Sequence, residues 1–207
     1  MSDKFVIEVG TDADLALAET ISASIAEAAK TRGTGLALRT PGYIRGKLAE
    51  GKAVIAWAID PSTNTRRFAG FCYIESWGGK KYVANSGLVV LPAYRHSGLA
   101  KAIKRRALEL SRAKFPEAKL FGITTCHAVM KINTDLGYVP VPFSELTDDD
   151  EFWSGCETCP HYDILERTGR SMCLCTGMLY DPAKPRTATT DSADLPETVT
   201  LSELPHV

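Results

Sequence analysis

The sequence predicts an α/β protein built on one mixed sheet, and three features of its 207 residues predict it. Short β-rich runs alternate with stretches of helical periodicity, three of those runs follow one another with only turns between them, and helices and strands then alternate singly. With 44% hydrophobic and 24% charged residues, the chain fills one packed domain and has material left for an appendage.

Residues 5–9 form the first β-rich run. Thr11-Asp12-Ala13-Asp14 follows with the hydroxyl-then-acid spacing of a capping box, which opens a helix. Leu17, Ile21, Ile25 and Ala28 recur at helical spacing, and Gly33 and Gly35 supply the stop, so a helix is predicted over 12–30. Thr40-Pro41 opens a second helix with proline in its first turn, and Gly51 lies past its end. Residues 53–59, 67–77 and 82–91 read as consecutive antiparallel strands, separated by Asp60-Pro61-Ser62-Thr63-Asn64 and by Gly78-Gly79. The period then changes. Leu99, Ile103, Ala107 and Leu110 mark a helix ending near Phe115-Pro116; a strand over 118–123, a helix over 126–136 and a strand over 138–143 complete the series.

Composition excludes several classes of function. Lys and Arg total 24 against 25 Asp and Glu, so the chain lacks the overall basicity of a dedicated nucleic-acid binder. The longest apolar runs, such as 53–59 and 68–74, fall far short of the roughly 20 residues that a bilayer span needs, and no membrane partner is expected. The start, Met1-Ser2-Asp3-Lys4-Phe5, has none of the marks of a secretory leader, so a cytoplasmic location is the expectation. The six cysteines then read as thiols, metal ligands or core fillers rather than disulfide partners. The near-neutral charge is a cancellation: residues 95–119 carry eight Lys and Arg against two acids, and 145–163 carry seven acids and no Lys or Arg. From Ala183 onward the chain is rich in Pro, Thr, Ser and Asp, the composition of a disordered tail. The division is therefore a core over 1–143, a Cys-rich extension over 144–182 that completes the sheet, and a tail over 183–207.

The strongest local signal is Val89-Val90-Leu91-Pro92-Ala93-Tyr94-Arg95-His96-Ser97-Gly98-Leu99-Ala100, a strand that runs through a tight turn into a helix. Backbone N–H groups at such a helix start face outward, the helix dipole favours an anion there, and Gly98 and Ala100 leave room for close approach. Arg95 and Lys101 add positive charge. A pyrophosphate fits this turn; an ordinary strand–turn–helix junction with small residues is the bland alternative.

Arg95, Gly98 and Ala100 match the Arg/Gln-x-x-Gly-x-Gly/Ala motif A, and with the order of elements over 5–143 the chain resembles the GCN5-related N-acetyltransferase (GNAT) superfamily. The resemblance implies antiparallel strands followed by a splayed parallel pair. The pantetheine arm of acetyl-CoA would lie in the splay against backbone from Leu88, Val89 and Val90, and its pyrophosphate on amides of His96, Ser97, Gly98, Leu99, Ala100 and Lys101. It also implies direct attack of an amine on the thioester. The oxyanion would be held by a backbone N–H at a strand bulge, at Val89 or Val90. Glu75 is the candidate base, as a carboxylate in a partly apolar cleft acting through water, although a glutamate near a strand end is most often solvated.

The chain departs from the family pattern at the acid. The usual motif B helix ends Tyr-x-x-x-Gly-Phe/Tyr, and here Asn133 stands in the tyrosine position before Gly137-Tyr138, among the residues lining the cofactor. Tyr138 and Cys126 are alternative donors, each equally read as core packing. Ile123-Thr124-Thr125, the helix without that tyrosine, Leu136-Gly137-Tyr138-Val139-Pro140-Val141 and Ser144-Glu145-Leu146 are similar to the same stretch of bacterial N-acetylglutamate synthases. A glutamate acceptor, as in arginine biosynthesis, needs a cationic clamp, for which Arg32, Arg39 and Lys131 are candidates; each is equally read as a solvated charge.

Cys156-x-x-Cys159 and Cys173-x-Cys175 make a four-thiolate set of the kind that holds structural zinc, although the second spacing is tighter than usual. The rivals are a redox-active Cys156/Cys159 pair and separate buried thiols in a final strand over 173–180. Cys72 reads as core. The function expected is acyl-CoA-dependent acetylation of a small amine. The alternatives are a non-catalytic acyl-CoA-binding module and a polyamine or peptide N-acetyltransferase; a homodimer is the assembly the resemblance brings with it.

Overall fold

Apolar residues at consecutive positions of 53–59 bury both faces of a strand, and this run lies well inside the single sheet around which the chain is built. The structure, a computed structural model, describes residues 4–32, 37–184 and 199–201. Along the chain come β1 (Lys4–Val9), a 3₁₀ turn (Asp12–Leu17) leading into α1 (Ala18–Arg32), α2 (Pro41–Ala49), β2 (Ala53–Ile59), β3 (Arg66–Trp77) and β4 (Tyr82–Val90). They are followed by α3 (Leu99–Lys114), β5 (Lys119–Thr124), α4 (His127–Asp135), β6 (Val139–Val141), α5 (Asp150–Ser154), α6 (Tyr162–Arg167), β7 (Thr176–Tyr180) and β8 (Val199–Leu201).

The strands are ordered β6-β7-β5-β4-β3-β2-β1-β8. β1 to β4 pair antiparallel in sequence, β5 joins β4 in parallel, and β7 enters antiparallel between β5 and β6. The mixed sheet is thus the one expected, with the extension woven into it. β8 pairs in parallel with β1 from within the stretch read as a tail, whose residues 185–198 and 202–207 lie outside the described residues.

The two early helix starts follow from their caps. The Asp14 carboxylate accepts from the Thr11 N–H at 2.9 Å, and Thr40 Oγ1 accepts from the Tyr43 N–H at 3.2 Å with Pro41 at the first helical position. α3 is held by Leu99, Ile103, Ala107 and Leu110, all buried against the sheet, where each large side chain contributes about 1.5–3 kcal/mol. One face of the sheet carries α3 and α4, packed on Val54, Cys72, Ile74, Leu120 and Met178. The opposite face carries two separate blocks: α1 and α2 over Ile55, Phe71, Tyr73 and Val89, and the extension over Ala84, Phe121 and Leu179.

Between those blocks the sheet opens. β4 and β5 pair only from Tyr82/Lys119 to Ala84/Phe121, then diverge, so residues 85–90 of β4 have no strand on that side. The register of β3 against β4 slips by one between Phe71/Val89 and Tyr73/Ser86, leaving Cys72 opposite two residues, Gly87 and Leu88. Gly87 has φ +67°, and a Cβ there would lie 2.6 Å from the Tyr73 ring, so glycine is required.

Candidate active site

Alternation along β4 determines which backbone groups face the splay. The Leu91 N–H donates to the Ala69 carbonyl at 2.9 Å, so in an antiparallel pair the Phe71/Val89 pair is also hydrogen-bonded and Val90 points its N–H and C=O the other way. The Val90 carbonyl accepts from Arg95 Nε at 3.2 Å on that outer side, which leaves the Val90 N–H facing the gap. Of the two positions expected for an oxyanion donor, Val90 therefore faces the splay and Val89 is committed to β3. The bulge itself lies one step earlier than expected, at Gly87 and Leu88.

At the end of β4 a 3₁₀ turn (Pro92–Tyr94) leads through His96, with φ +63°, and Gly98, with φ +78°, into α3. Ser97 Oγ donates to the Tyr94 carbonyl at 2.7 Å and braces the turn. The first N–H of the helix to find a carbonyl is that of Lys101, on Gly98. The amides from His96 to Ala100 thus form the open, electropositive end that an anion needs. The side chain of Lys101 is not part of that end, because its ammonium pairs with Asp135 of α4 at 2.9 Å.

A cavity of about 430 Å³ runs from the splay to the extension. Leu88, Asn85, Gly122, Asn133 and Lys104 line its inner part, and Glu75, Arg39, Tyr43, Phe152 and Cys156 line its outer part. Asn133 is 1% exposed and its buried Oδ1 has no partner among the described residues. Tyr138 is not free to act here: burial pushes its phenol up and its hydroxyl donates to Asn85 Oδ1 at 2.8 Å.

Of the three candidate clamps, Arg39 alone reaches the cavity among the described side chains. Its Nε donates to Tyr73 Oη at 2.7 Å, its Nη1 donates to the Leu38 carbonyl at 3.0 Å, and its guanidinium carbon lies 5.3 Å from the Tyr43 ring centre. No ion pair or hydrogen bond of a described residue uses its Nη2, which is left for a ligand. Lys131 is exposed on α4 and is not among the cavity residues. The side chain of Arg32 lies outside the described residues.

Glu75 lines the cavity, but not in apolar surroundings. Lys47 holds one carboxylate oxygen and Lys52 the other, the latter at 3.1 Å, and the Ser76 N–H donates to it as well. Burial pushes the Lys47 ammonium down, offset by the nearby Glu50 carboxylate. The sequence signal for this trio was Lys47 in the last turn of α2 and Lys52 immediately before β2.

The four cysteines converge on one wall of the cavity. Burial and the neighbouring thiols push Cys156 up to about 11 and Cys175 up to about 12. The expected zinc set is not formed: among the described residues no group of three or more His, Cys, Asp or Glu is arranged to hold a metal ion. Cys156 and Cys159 sit on the turn after α5, and Cys173 and Cys175 precede β7 rather than lie in it, so β7 is shorter than expected. Lys104, Tyr43 and Tyr73 were not singled out from the sequence; the signal for Lys104 was its place on the buried side of α3 in the series Ala100, Lys104, Ala107, Ser111.

Neither the family models nor the curated protein sequences contain a match to this chain. Solved structures do. N-acetylglutamate synthase from Neisseria gonorrhoeae, complexed with coenzyme A and N-acetyl-glutamate, superposes with a TM-score of 0.58 at 13% identity over 89% of this chain. The fold is that of the GNAT acetyltransferases. The chain spans 36% of the Neisseria enzyme's length. Rv2747 from Mycobacterium tuberculosis, in complex with CoA, matches at 0.58 and 13% identity over 84% of this chain and 98% of its own. Diaminobutyrate acetyltransferase from Paenibacillus lautus, bound to L-2,4-diaminobutyric acid and coenzyme A, matches at 0.55 and 12% identity over 89% and 99%. The GNAT fold thus holds for nearly the whole described chain, including the part after residue 143. No helix among the described residues is long and apolar enough to cross a membrane.

Proposed function

We propose that the protein is an acyl-CoA-dependent N-acyltransferase that acetylates the α-amino group of a small carboxylate-bearing acceptor, an amino acid such as glutamate. The observation that carries this reading is the Arg39 guanidinium, which makes no ion pair among the described residues and keeps its Nη2 free, in a cavity that is continuous with the splay between β4 and β5. A guanidinium fork binds a carboxylate bidentately, and it stands at the outer end, where an acceptor enters. Support comes from the neighbours, two of which hold CoA together with an amino acid or its acetylated product.

In this reading the pantetheine of acetyl-CoA lies along 85–90 of β4, and its pyrophosphate sits on the amides from His96 to Ala100, with Arg95 and the dipole of α3 favouring the charge. The acceptor nitrogen gives up a proton through water to Glu75, whose position is fixed by Lys47 and Lys52. It then attacks the thioester carbon, and the Val90 N–H stabilises the oxyanion that forms. The aromatic wall of Trp77, Phe143, Phe152 and Trp153 excludes water around the acceptor.

The test is thiol release from acetyl-CoA against a panel of amino acids, polyamines and peptide N-termini. Glutamate is expected to give the highest kcat/KM. Turnover on polyamines alone would overturn the acceptor, and CoA binding without turnover on any amine would replace the enzyme by a binding module.

A further inference from the structure

Lys104 carries an inference about the chemical step. It is 2% exposed, on the side of α3 turned to the sheet, and its ammonium makes no hydrogen bond or ion pair with any described residue. It reaches from the α3 face into the gap that β4 and β5 leave, beside Asn133, Asn85, Leu88 and Gly122. Its Nζ lies 5.6 Å from the Tyr138 ring centre. Cys72, the residue opposite the β4 bulge, is the other titratable group acting on it. No carboxylate of a described residue pairs with it: Asp135, the acid on the adjoining helix α4, is taken by Lys101.

An ammonium buried without a counter-charge is costly, and polar groups kept in that condition concentrate at functional sites. Burial drives its proton off more readily than that of an ordinary lysine. Acyl transfer along this gap creates two anions in turn, the tetrahedral oxyanion, which the Val90 N–H meets, and the thiolate of CoA, which has no such partner. The donors considered from the sequence do not serve there. Asn133 has no proton to yield, the Tyr138 hydroxyl is committed to Asn85, and Cys126 caps α4 without lining the cavity.

We propose that Lys104 is the proton donor to the departing CoA thiolate. The inference rests on the acyl-transfer reading above. When the tetrahedral intermediate collapses, the C–S bond breaks with its electron pair on sulfur, and the Lys104 ammonium gives its proton to that sulfur, leaving free CoA thiol and a neutral amine. The acceptor's ammonium proton has gone to Glu75 through water before the attack, the second proton of its nitrogen leaves to water as the amide forms, and Glu75 then releases its proton to solvent. Lys104 takes up a proton from solvent once CoA has left, and the cycle closes.

The decisive variant is Lys104→Met, which keeps the stem, removes an uncompensated buried charge and so retains the fold. With acetyl-CoA and the best amine of the panel, kcat is expected to fall about 100-fold with little change in either KM. The wild-type loss of kcat as pH rises and the ammonium deprotonates is expected to vanish in the variant. A second measurement needs no turnover: the thiol of bound CoA is titrated through thiolate absorbance, and it should ionise about one pH unit lower in the wild type than in the variant. A variant with wild-type kcat and an unshifted thiol overturns the inference and leaves the proposed function standing. No turnover on any amine, with the thiol shift present, overturns the function and leaves the pairing of Lys104 with sulfur. Loss confined to a carboxylate-bearing acyl donor such as succinyl-CoA overturns the inference by assigning the ammonium to the acyl chain.

Discussion

Arg39 owes its place to two tyrosines, and that makes its role separable from simple charge. Tyr73 Oη fixes the Nε side of the guanidinium and the Tyr43 ring lies against its face, so the free Nη2 is presented in one orientation. Arg39→Met is expected to raise KM for the carboxylate acceptor about 10- to 100-fold, the worth of hydrogen bonds to a charged group, and to change kcat much less. Arg39→Lys should recover only part of that loss, because a point charge cannot make the fork. Steady-state kinetics against glutamate and against its neutral analogue check both. Glu75 answers differently. Gln at this position leaves Lys47, itself buried, facing an amide, and breaking such a pair costs about 3–5 kcal/mol. Urea unfolding is expected to show that loss in Glu75→Gln and its recovery in the Lys47→Met/Glu75→Gln double variant, while turnover stays low in both.

At the scale of elements, the bulge in β4 sets the geometry of the splay. Gly87→Ala forces a side chain into φ +67° and into the Tyr73 ring, the same ring whose hydroxyl holds Arg39. A loss of about 1–3 kcal/mol in denaturant unfolding and a matching weakening of CoA binding are expected. The cysteine wall makes its own prediction. With Cys156 near 11 and Cys175 near 12, both thiols stay protonated at neutral pH and should react slowly with disulfide reagents, at rates that climb as pH approaches those values. The sign for stability is negative: between the ordinary thiol value of 9.0 and the folded values, the unfolded chain has lost protons that the fold retains, so stability falls as pH rises. Most elements were legible in the sequence because they depend on local patterns, such as Leu99, Ile103, Ala107 and Leu110 for α3 or Thr40-Pro41 for α2. The turn from His96 to Lys101 was legible for the same reason. Lys104 and Arg39 were harder. A helical stripe shows that Lys104 points inward but not that β4 and β5 part above it, and Arg39 is distinguished from Lys131 only by Tyr43 and Tyr73, which tertiary packing brings to it. The zinc reading finds no support in the structure: the four thiols line one cavity wall, and among the described residues no group is arranged to hold an ion.

At the scale of the whole molecule, the division at residue 143 is a boundary of composition, and the chain beyond it contributes β7 to the sheet. β7 pairs with β5 from Leu120/Tyr180 to Thr124/Thr176 and with β6 from Val139/Leu179 to Val141/Gly177, so β6 joins the sheet only through it. Met178 and Leu179 are buried on opposite faces, and Trp153 and Leu165 close over Phe121 and Ala84. Full burial of each such side chain contributes about 1.5–3 kcal/mol, and four of them together approach the whole net stability of a domain, about 5–15 kcal/mol. A chain cut after residue 143 is therefore expected not to fold cooperatively, and to lose CoA binding although every residue of the phosphate turn is retained. In the full chain, Trp57 on β2 reports the β1–β4 half and Trp153 on α5 reports the extension. Single-tryptophan versions that keep one or the other should unfold in urea at the same midpoint. Separate midpoints, or a sharp transition in the 1–143 fragment, would mean that the extension docks on a core already folded, and the cavity between them would then open and close without unfolding either side.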